Sequence, residues 1–429
     1  MMQVAPSVAI RQPAGMKRLI VCLGFLLGSL LVTSCSTPAQ PRAAASGPLI
    51  LISIDGFRWD YLQKYDAPTL KLLAAAGVHA KRMTPSFPSL TFPNHYTIVT
   101  GLRPEHHGIV GNTFYDPALQ ASFVFKSHES SIDSRWWEGG EPIWITAEKQ
   151  GVRSACFFWP GSEAAIHGTR AGLYQPFDKG LTSAQRVDGL LAWLGLPPEK
   201  RPRLATLYFN IVDDAGHTYG PDAPETANAV KATDDAITRL LDGLTKLGLR
   251  ESASLVIVSD HGMEPVSPDR TIVLDDYVNL NSVDVDSFGP TAGLRPKTGT
   301  AQELAAKFRG KHPQLSVWLR AEVPERLHYR ASNRIAPVVL SAAPGWFIAS
   351  RDWLHAKRLT FEQGAHGFDP ASPNMGALFI ASGPAFRRGV EIDDVENIHV
   401  YNLLCAALGL KPARNDGDQR LVRAALSRR

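Results

Sequence analysis

Leu49-Ile50-Leu51-Ile52-Ser53-Ile54 is an almost unbroken apolar run that stops at Asp55-Gly56. A strand with water on one face alternates apolar and polar residues. A run without that alternation is buried on both faces, as in the middle of a parallel sheet. Ser254-Leu255-Val256-Ile257-Val258-Ser259 repeats the pattern and stops at Asp260-His261-Gly262-Met263. A third strand, Ala205 to Val212, runs into Asp213. In open α/β sheets the ligand crevice lies beyond the carboxyl ends of the strands, so three acids there mark one edge as a site.

Between these strands the periodicity is helical. Ala67 to Gly77 and Ile143 to Gln150 predict helices, and Glu225 to Leu247 carries Val230, Ile237, Leu240, Leu241 and Leu244 on one face as an amphipathic crossover. Val78 to Met83 and Ser154 to Trp159 predict further strands. Alternating strand and helix predict an α/β fold with a mostly parallel central sheet and helices on both faces. From Pro265 to Gly364 the texture changes. Short strand-like runs (Thr271–Leu274, Leu315–Leu319, Val338–Ala342) surround one helix, Ala301 to Arg309. Residues 265–364 are therefore expected to be a smaller β-rich subdomain inserted into a catalytic core of residues 49–264 and 365–429. The last part holds a strand from Gly376 to Ala381, a helix from Asn397 to Leu408 and a basic tail.

Ahead of the core, Lys17-Arg18 precedes an apolar run from Leu19 to Val32 and then Thr33-Ser34-Cys35. A basic region, a short apolar stretch and small residues predict a secretory signal over residues 1–34, with Met16 as an alternative start. Val32-Thr33-Ser34-Cys35 resembles a bacterial lipobox, in which the cysteine is lipidated; ordinary signal cleavage is the other reading. Residues 35–48, rich in Pro, Ala and Ser, then form a flexible tether. The expected location is the periplasmic side of a bacterial membrane as a lipoprotein, with membrane contact only through the anchor, or the periplasm after secretion. Cys156 and Cys405 sit in apolar contexts and are expected to be buried thiols rather than a disulfide. The formal charge of +4 is weak, and Arg11, Lys17 and Arg18 of the leader contribute to it. Bulk charge therefore gives no reason to expect binding of a nucleic-acid polymer.

The chemistry centres on Ser86-Phe87-Pro88-Ser89-Leu90-Thr91-Phe92-Pro93-Asn94-His95-Tyr96. Pro93 two residues past Thr91, and Gly101 beyond Tyr96–Thr100, delimit a short helix with Thr91 at or next to its N-terminus. Free N–H groups and the positive dipole end would there face an anion such as phosphate. Thr91 alone reads equally as a plain N-cap. The acids Asp55, Asp213 and Asp260 change that, together with His217, His261 and the Gly-flanked His366. Carboxylates and imidazoles without cysteine suit Zn²⁺ or a similar divalent ion at a catalytic site.

Six motifs carry a family resemblance: Ile54-Asp55-Gly56-Phe57-Arg58, Thr91 to His95, His107-Gly108-Ile109 with Asn112, Asp213-x-x-Gly216-His217, Ser259 to Met263, and Gly364-x-His366-Gly367. Together, and in this order, they resemble the nucleotide pyrophosphatase/phosphodiesterases of the alkaline phosphatase superfamily, in a bacterial member, from about Leu49 to Leu410. The resemblance implies an alkaline-phosphatase-like fold and two Zn²⁺ ions per chain. One would be held by Asp213, His217 and His366, the other by Asp55, Asp260 and His261, with Thr91 on the latter ion as nucleophile. Asn112 would donate to a phosphate oxygen. Phe92 matches the base-stacking position, and Val124, Tyr174 and Phe177 are further candidates for the substrate pocket, the aromatics reading equally as core packing. The implied activity is cleavage of nucleotide phosphodiester or phosphoanhydride bonds to nucleoside 5′-monophosphates through a phospho-threonine intermediate, by a monomer acting on small molecules.

Choline or other non-nucleotide phosphodiesters and phosphomonoesters are the alternative substrates. A sulfatase would need Cys or Ser before x-Pro-x-Arg, which Thr91-Phe92-Pro93-Asn94-His95 lacks. A non-enzymatic binding lipoprotein would have no use for the complete ligand set and Thr91. Cys35→Ser is expected to release the protein from membranes or block its processing; mass spectrometry of the mature N-terminus checks this.

Overall fold

The computed structural model describes residues 47–427, so the signal segment, Cys35 and nearly all of the tether lie outside the described residues. In chain order the first elements are β1 (Leu49–Ile54), α1 (Pro68–Ala76), β2 (Val78–Ala80), α2 (Thr91–Thr100) and the hairpin strands β3 (Thr113–Asp116) and β4 (Ala121–Val124). Next come α3 (Ile143–Lys149), β5 (Ser154–Phe157), β6 (Leu173–Gln175), α4 (Ser183–Leu194), β7 (Leu204–Phe209), α5 (Ile211–Tyr219), α6 (Pro224–Lys246) and β8 (Ser254–Val258). A second group is β9 (Val283–Val285), β10 (Thr291–Pro296), α7 (Ala301–Phe308), β11 (Leu315–Leu319) and β12 (Val338–Ala342). The chain closes with β13 (Phe379–Ser382), β14 (Val390–Ile392) and α8 (Val400–Leu408).

The main sheet has eight strands in the order β14-β2-β13-β8-β1-β7-β5-β6. β1 lies between β7 and β8 and is parallel to both, with Ile52 opposite Leu207 and Ile257. Only β13, antiparallel to β8 and β2, runs against the rest, so the sheet is mixed.

β1 shows why its sequence lacks alternation. Leu49 and Leu51 enter a core formed with Tyr96, Ile98 and Val99 of α2, Trp144 of α3 and Leu404 of α8. Ile50, Ile52 and Ile54 enter the core on the other face, with Leu70 and Leu73 of α1, Leu190 of α4 and Ile237 and Leu240 of α6. Each fully buried side chain of this size contributes roughly 1.5–3 kcal/mol. β9, β10, β12 and β11 form a separate four-stranded antiparallel sheet around Leu294, Phe308 and Leu340.

Cys156 and Cys405 are free and buried, and no described helix is long and apolar enough to cross a membrane. One local expectation is corrected. The strand read through Val212 ends at Phe209, and Asp213 and His217 stand on helix α5 rather than in a loop beyond a strand. Ile211 and Val212 extend the apolar run across the break, which hides it in the sequence.

Ile52→Ala should cost about 2–5 kcal/mol of stability, because it opens a cavity where two layers meet. Leu72→Ala, at a side chain 63% exposed, should stay within about 0.5 kcal/mol. Urea unfolding of the two variants checks the contrast.

Candidate active site

The carboxyl ends of β1 and β8 deliver Asp55 and Asp260, and Gly56 makes the turn after β1. Its φ of +67° is one that side chains resist, and a Cβ there would come within 2.9 Å of Cα and Oδ1 of Asp213. Only glycine lets α5 approach β1 closely enough to complete the cluster. On α5, Asp213 and His217 are one turn apart and face the same way. His366 enters from the loop after the short strand Gly364–Ala365.

These six residues fall into two groups, Asp213/His217/His366 and Asp55/Asp260/His261. Within each, one ligand-type atom per residue lies within 4.8 Å of the others. His261 Nε2 is 2.9 Å from Asp260 Oδ2 and 3.4 Å from Asp55 Oδ1. Asp213 Oδ1 is 3.5 Å from His217 Nε2 and 3.7 Å from His366 Nε2. The His261 and His366 rings join the groups, stacked with centroids 3.5 Å apart and 11° between planes.

The protonation of the imidazoles tests whether a cation fits. Nδ1 of His217, His261 and His366 lies 2.9 Å from the carbonyl oxygens of Gly364, Gly262 and Ser89 respectively. A carbonyl only accepts, so each Nδ1 carries the proton and each Nε2 presents a lone pair. Those lone pairs face Asp55 Oδ1, Asp213 Oδ1 and Asp260 Oδ2, all buried and without a hydrogen-bond donor. Acceptors facing acceptors in a buried cleft require a cation between them, and both groups fit a divalent metal.

Without a metal, protons must compensate. Burial, then Asp260 and Asp213, hold the Asp55 carboxyl well above the usual aspartate range. Burial also raises Asp213, to about 7, against the pull of His217. Burial raises Asp260 too, but His261 and His95 outweigh it and leave this carboxyl well below the usual range. His217 is driven up to about 10; burial opposes this, and Asp213 and Glu362 override it.

Thr91 is the first residue of α2, and its Oγ1 lies 3.3 Å from His261 Nε2. The free N–H groups expected there are partly spoken for. Phe92 N–H donates to Asn112 Oδ1 at 2.9 Å, and Pro93 has none. With its oxygen held this way, the Asn112 amide keeps its NH₂ for another partner.

The cleft around these residues, about 680 Å³, is lined by Thr91, Phe92, Asn112, Phe125, Trp159 and Phe177 besides ligand-type residues. Phe92 also packs against Phe123 and Phe125 at 5.7 Å, so its ring belongs to both wall and core. Val124 and Tyr174 are not among the lining residues. Val124 ends β4 with its side chain partly exposed, and it is Phe125, in the turn that follows, that reaches the cleft. Tyr174 is on the edge strand β6, partly exposed under the Arg170 guanidinium.

Several supporting residues gave no signal of their role in the sequence. Tyr208 OH donates to Asp55 Oδ2 at 2.6 Å. His95 Nδ1 lies between the Thr91 carbonyl (2.9 Å) and Asp260 Oδ2 (3.3 Å), and its Nε2 is 2.8 Å from Ser53 Oγ. Glu362 reaches His217 Nδ1 at 3.4 Å. Lys126 and Lys179 line the same cleft.

The family model described as type I phosphodiesterase / nucleotide pyrophosphatase matches residues 49–369. Human ectonucleotide pyrophosphatase/phosphodiesterase family member 1 is 39% identical over 398 residues, covering 90% of this chain but only 42% of the human protein. The chain thus spans less than half the length of that relative. An uncharacterized pyrophosphatase/phosphodiesterase of Schizosaccharomyces pombe is 40% identical over 380 residues, 86% of this chain and 78% of its own length. Among solved structures, murine ectonucleotide pyrophosphatase/phosphodiesterase 5 superposes with a TM-score of 0.84 at 36% identity, over 89% of this chain and all of that one. An inactive form of the same murine protein, in complex with AMP, gives 0.84 at 35% identity over the same shares.

Chelation should leave a pH-dependent weakness. Folded Asp213 holds its proton up to about pH 7, against the usual 3.8, so the folded state binds more protons than the unfolded chain between those values. Stability of the chelated protein should fall as pH rises from about 4 to about 7. Asp55 acts in the same direction and the raised His217 extends the fall above pH 7, whereas the depressed His366 opposes it below about 6.5 and the depressed Asp260 acts below the window. Calorimetry should show Tm declining across the window for the chelated protein only.

Proposed function

The chain belongs to the type I phosphodiesterase / nucleotide pyrophosphatase family, and from that membership and the cleft we propose that it hydrolyses nucleotide phosphodiester or phosphoanhydride bonds, releasing nucleoside 5′-monophosphates. The observation that carries this reading is the Thr91 hydroxyl at the mouth of two Asp/His groups, beside an asparagine amide and an aromatic wall. The murine relative solved in complex with AMP, a nucleoside monophosphate, supports a nucleotide as the ligand class.

Thr91 is the nucleophile. Asp55, Asp260 and His261 would hold one divalent ion, and Asp213, His217 and His366 the other; carboxylates and imidazoles of this kind suit zinc or a similar divalent ion. Bound there, two such ions lower the pKa of a hydroxyl or water and stabilise charge on the attacking and leaving oxygens.

Thr91 Oγ1 forms a bond to phosphorus as the bond to the leaving alcohol or phosphate breaks, and the leaving oxygen takes a proton. Water then attacks the phospho-threonine, the P–O bond to Thr91 breaks, and the nucleoside monophosphate leaves. His95 holds the Thr91 carbonyl through Nδ1 beside Asp260, which fixes the backbone of the nucleophile. Asn112 directs its NH₂ at a non-bridging oxygen. A diester carries one negative charge, which a neutral amide and two cations suit; a monoester carries a second that the Asn112 side does not meet.

Phe92 and Phe177 are the stacking surfaces for the base. The lipobox-like Val32–Cys35 supports placement in the envelope of a bacterium, facing the periplasm.

Thr91→Ala should abolish turnover and retain metal, whereas Asp213→Asn should lose both. Phe92→Ala should cost nucleotide diesters roughly one to two decades in kcat/KM, the worth of one stacking contact of about 1–3 kcal/mol, and cost methyl p-nitrophenyl phosphate much less. Metal analysis and kinetics on both substrates check this. Equal losses on the two would reopen the substrate class, with choline phosphodiesters the next to assay.

A further inference from the structure

Arg186 is a charged side chain that the chemistry above does not use. It stands in the first turns of α4, whose start is fixed by a capping box between Thr182 and Gln185. Although arginine is usually a surface residue, this one is 2% exposed. Its Nε donates to the Leu181 carbonyl and its Nη1 to the Tyr208 carbonyl, each at 3.0 Å. Among the described residues no carboxylate lies within ion-pair distance of it. Arginine keeps its charge in proteins, and burying a charge without a counter-ion is costly.

Two aromatic faces offset that cost. The guanidinium carbon lies 4.9 Å from the ring centroid of Phe158 and 5.8 Å from that of Phe177. Both rings line the cleft. Phe158 has φ +64°, a conformation that bulky side chains rarely adopt, and the turn it makes carries Trp159-Pro160-Gly161 into the cleft wall. Phe177 meets Phe158 edge-on at 5.1 Å and Tyr208 at 6.1 Å. It is nevertheless half exposed. A buried cation thus backs a ring whose other side is open to the ligand space.

We propose that Arg186 is a positioning residue that sets selectivity for the nucleobase. It holds Phe177 as a platform and draws π-electron density toward the buried face, so that the open face pairs best with an electron-rich purine. The Tyr208 carbonyl ties this platform to the strand whose tyrosine hydroxyl holds Asp55, so base and phosphate are located by one rigid wall. The proposal rests on the nucleotide reading of the cleft.

The test compares Arg186→Met with the metal-loaded wild type on ATP, UTP and methyl p-nitrophenyl phosphate. Removing a desolvated cation–π contact should raise KM for ATP roughly three- to thirtyfold, with a much smaller change in kcat. The ATP to UTP ratio of kcat/KM should move toward one, and the ratio of ATP to the base-free diester should fall about as far as the KM rises. Equal losses on all three substrates would make Arg186 a purely structural residue and overturn the proposal. Should Arg186→Met fail to fold, Arg186→Gln keeps a polar side chain for the Leu181 and Tyr208 carbonyls and removes only the charge behind the rings. The same loss of selectivity supports the proposal, and wild-type ratios overturn it. A wild-type enzyme with no preference for nucleotides over the base-free diester would overturn the nucleotide reading and this proposal together. A selective wild type with an unchanged Arg186→Met variant would overturn this proposal alone.

Discussion

Three carboxylates, those of Asp55 and Asp260 buried and that of Asp213 partly so, face three imidazole lone pairs across a few ångströms, and the fold is arranged around keeping that mutual repulsion in place. Such a cluster disperses unless its backbone is held from behind. β1 and β8 lie side by side in the middle of an eight-stranded sheet, each with buried side chains, and so fix Asp55 and Asp260. α5 is pressed onto them through Gly56, and the carbonyls of Gly262, Gly364 and Ser89 fix the imidazole rings. Strong local order is spent on an arrangement that only a cation relieves.

The helix dipole takes a different route from the simplest one. At the start of α2 the peptide N–H of Phe92 is bound to Asn112 and Pro93 offers none, so the positive end of the helix is coupled to the amide of Asn112. Asn112 in turn begins the β3–β4 hairpin, with its carbonyl accepting from Phe125 N–H at 2.9 Å. The start of α2, the Asn112 amide and the aromatic wall are thereby connected through the N–H groups of Phe92 and Phe125.

Much of this was legible because the signals are local. A two-sided strand needs an unbroken apolar run, as at Leu49–Ile54; a short helix needs its proline and its glycine, as around Thr91. The break after Phe209 was hidden because Ile211 and Val212 serve a helix as well as a strand. Nothing in the sequence sets Arg186 apart, since its burial depends on Phe158, Phe177 and Tyr208, which only tertiary packing brings to it. Val124 was one residue away from Phe125, which reaches the cleft from the turn after the strand, and the end of a strand is not marked in the sequence. Glu362 and Tyr208 act through the ligands they touch, and nothing in their neighbours along the chain announces that.

The stacked rings of His261 and His366 have a mechanical consequence. Each belongs to a different ligand group, yet they lie face to face at 3.5 Å, too close for either to tilt while the other stays still. The two halves of the centre are geared together. Any tilt of one ring therefore displaces the other, so the two Asp/His groups behave as one mechanical unit.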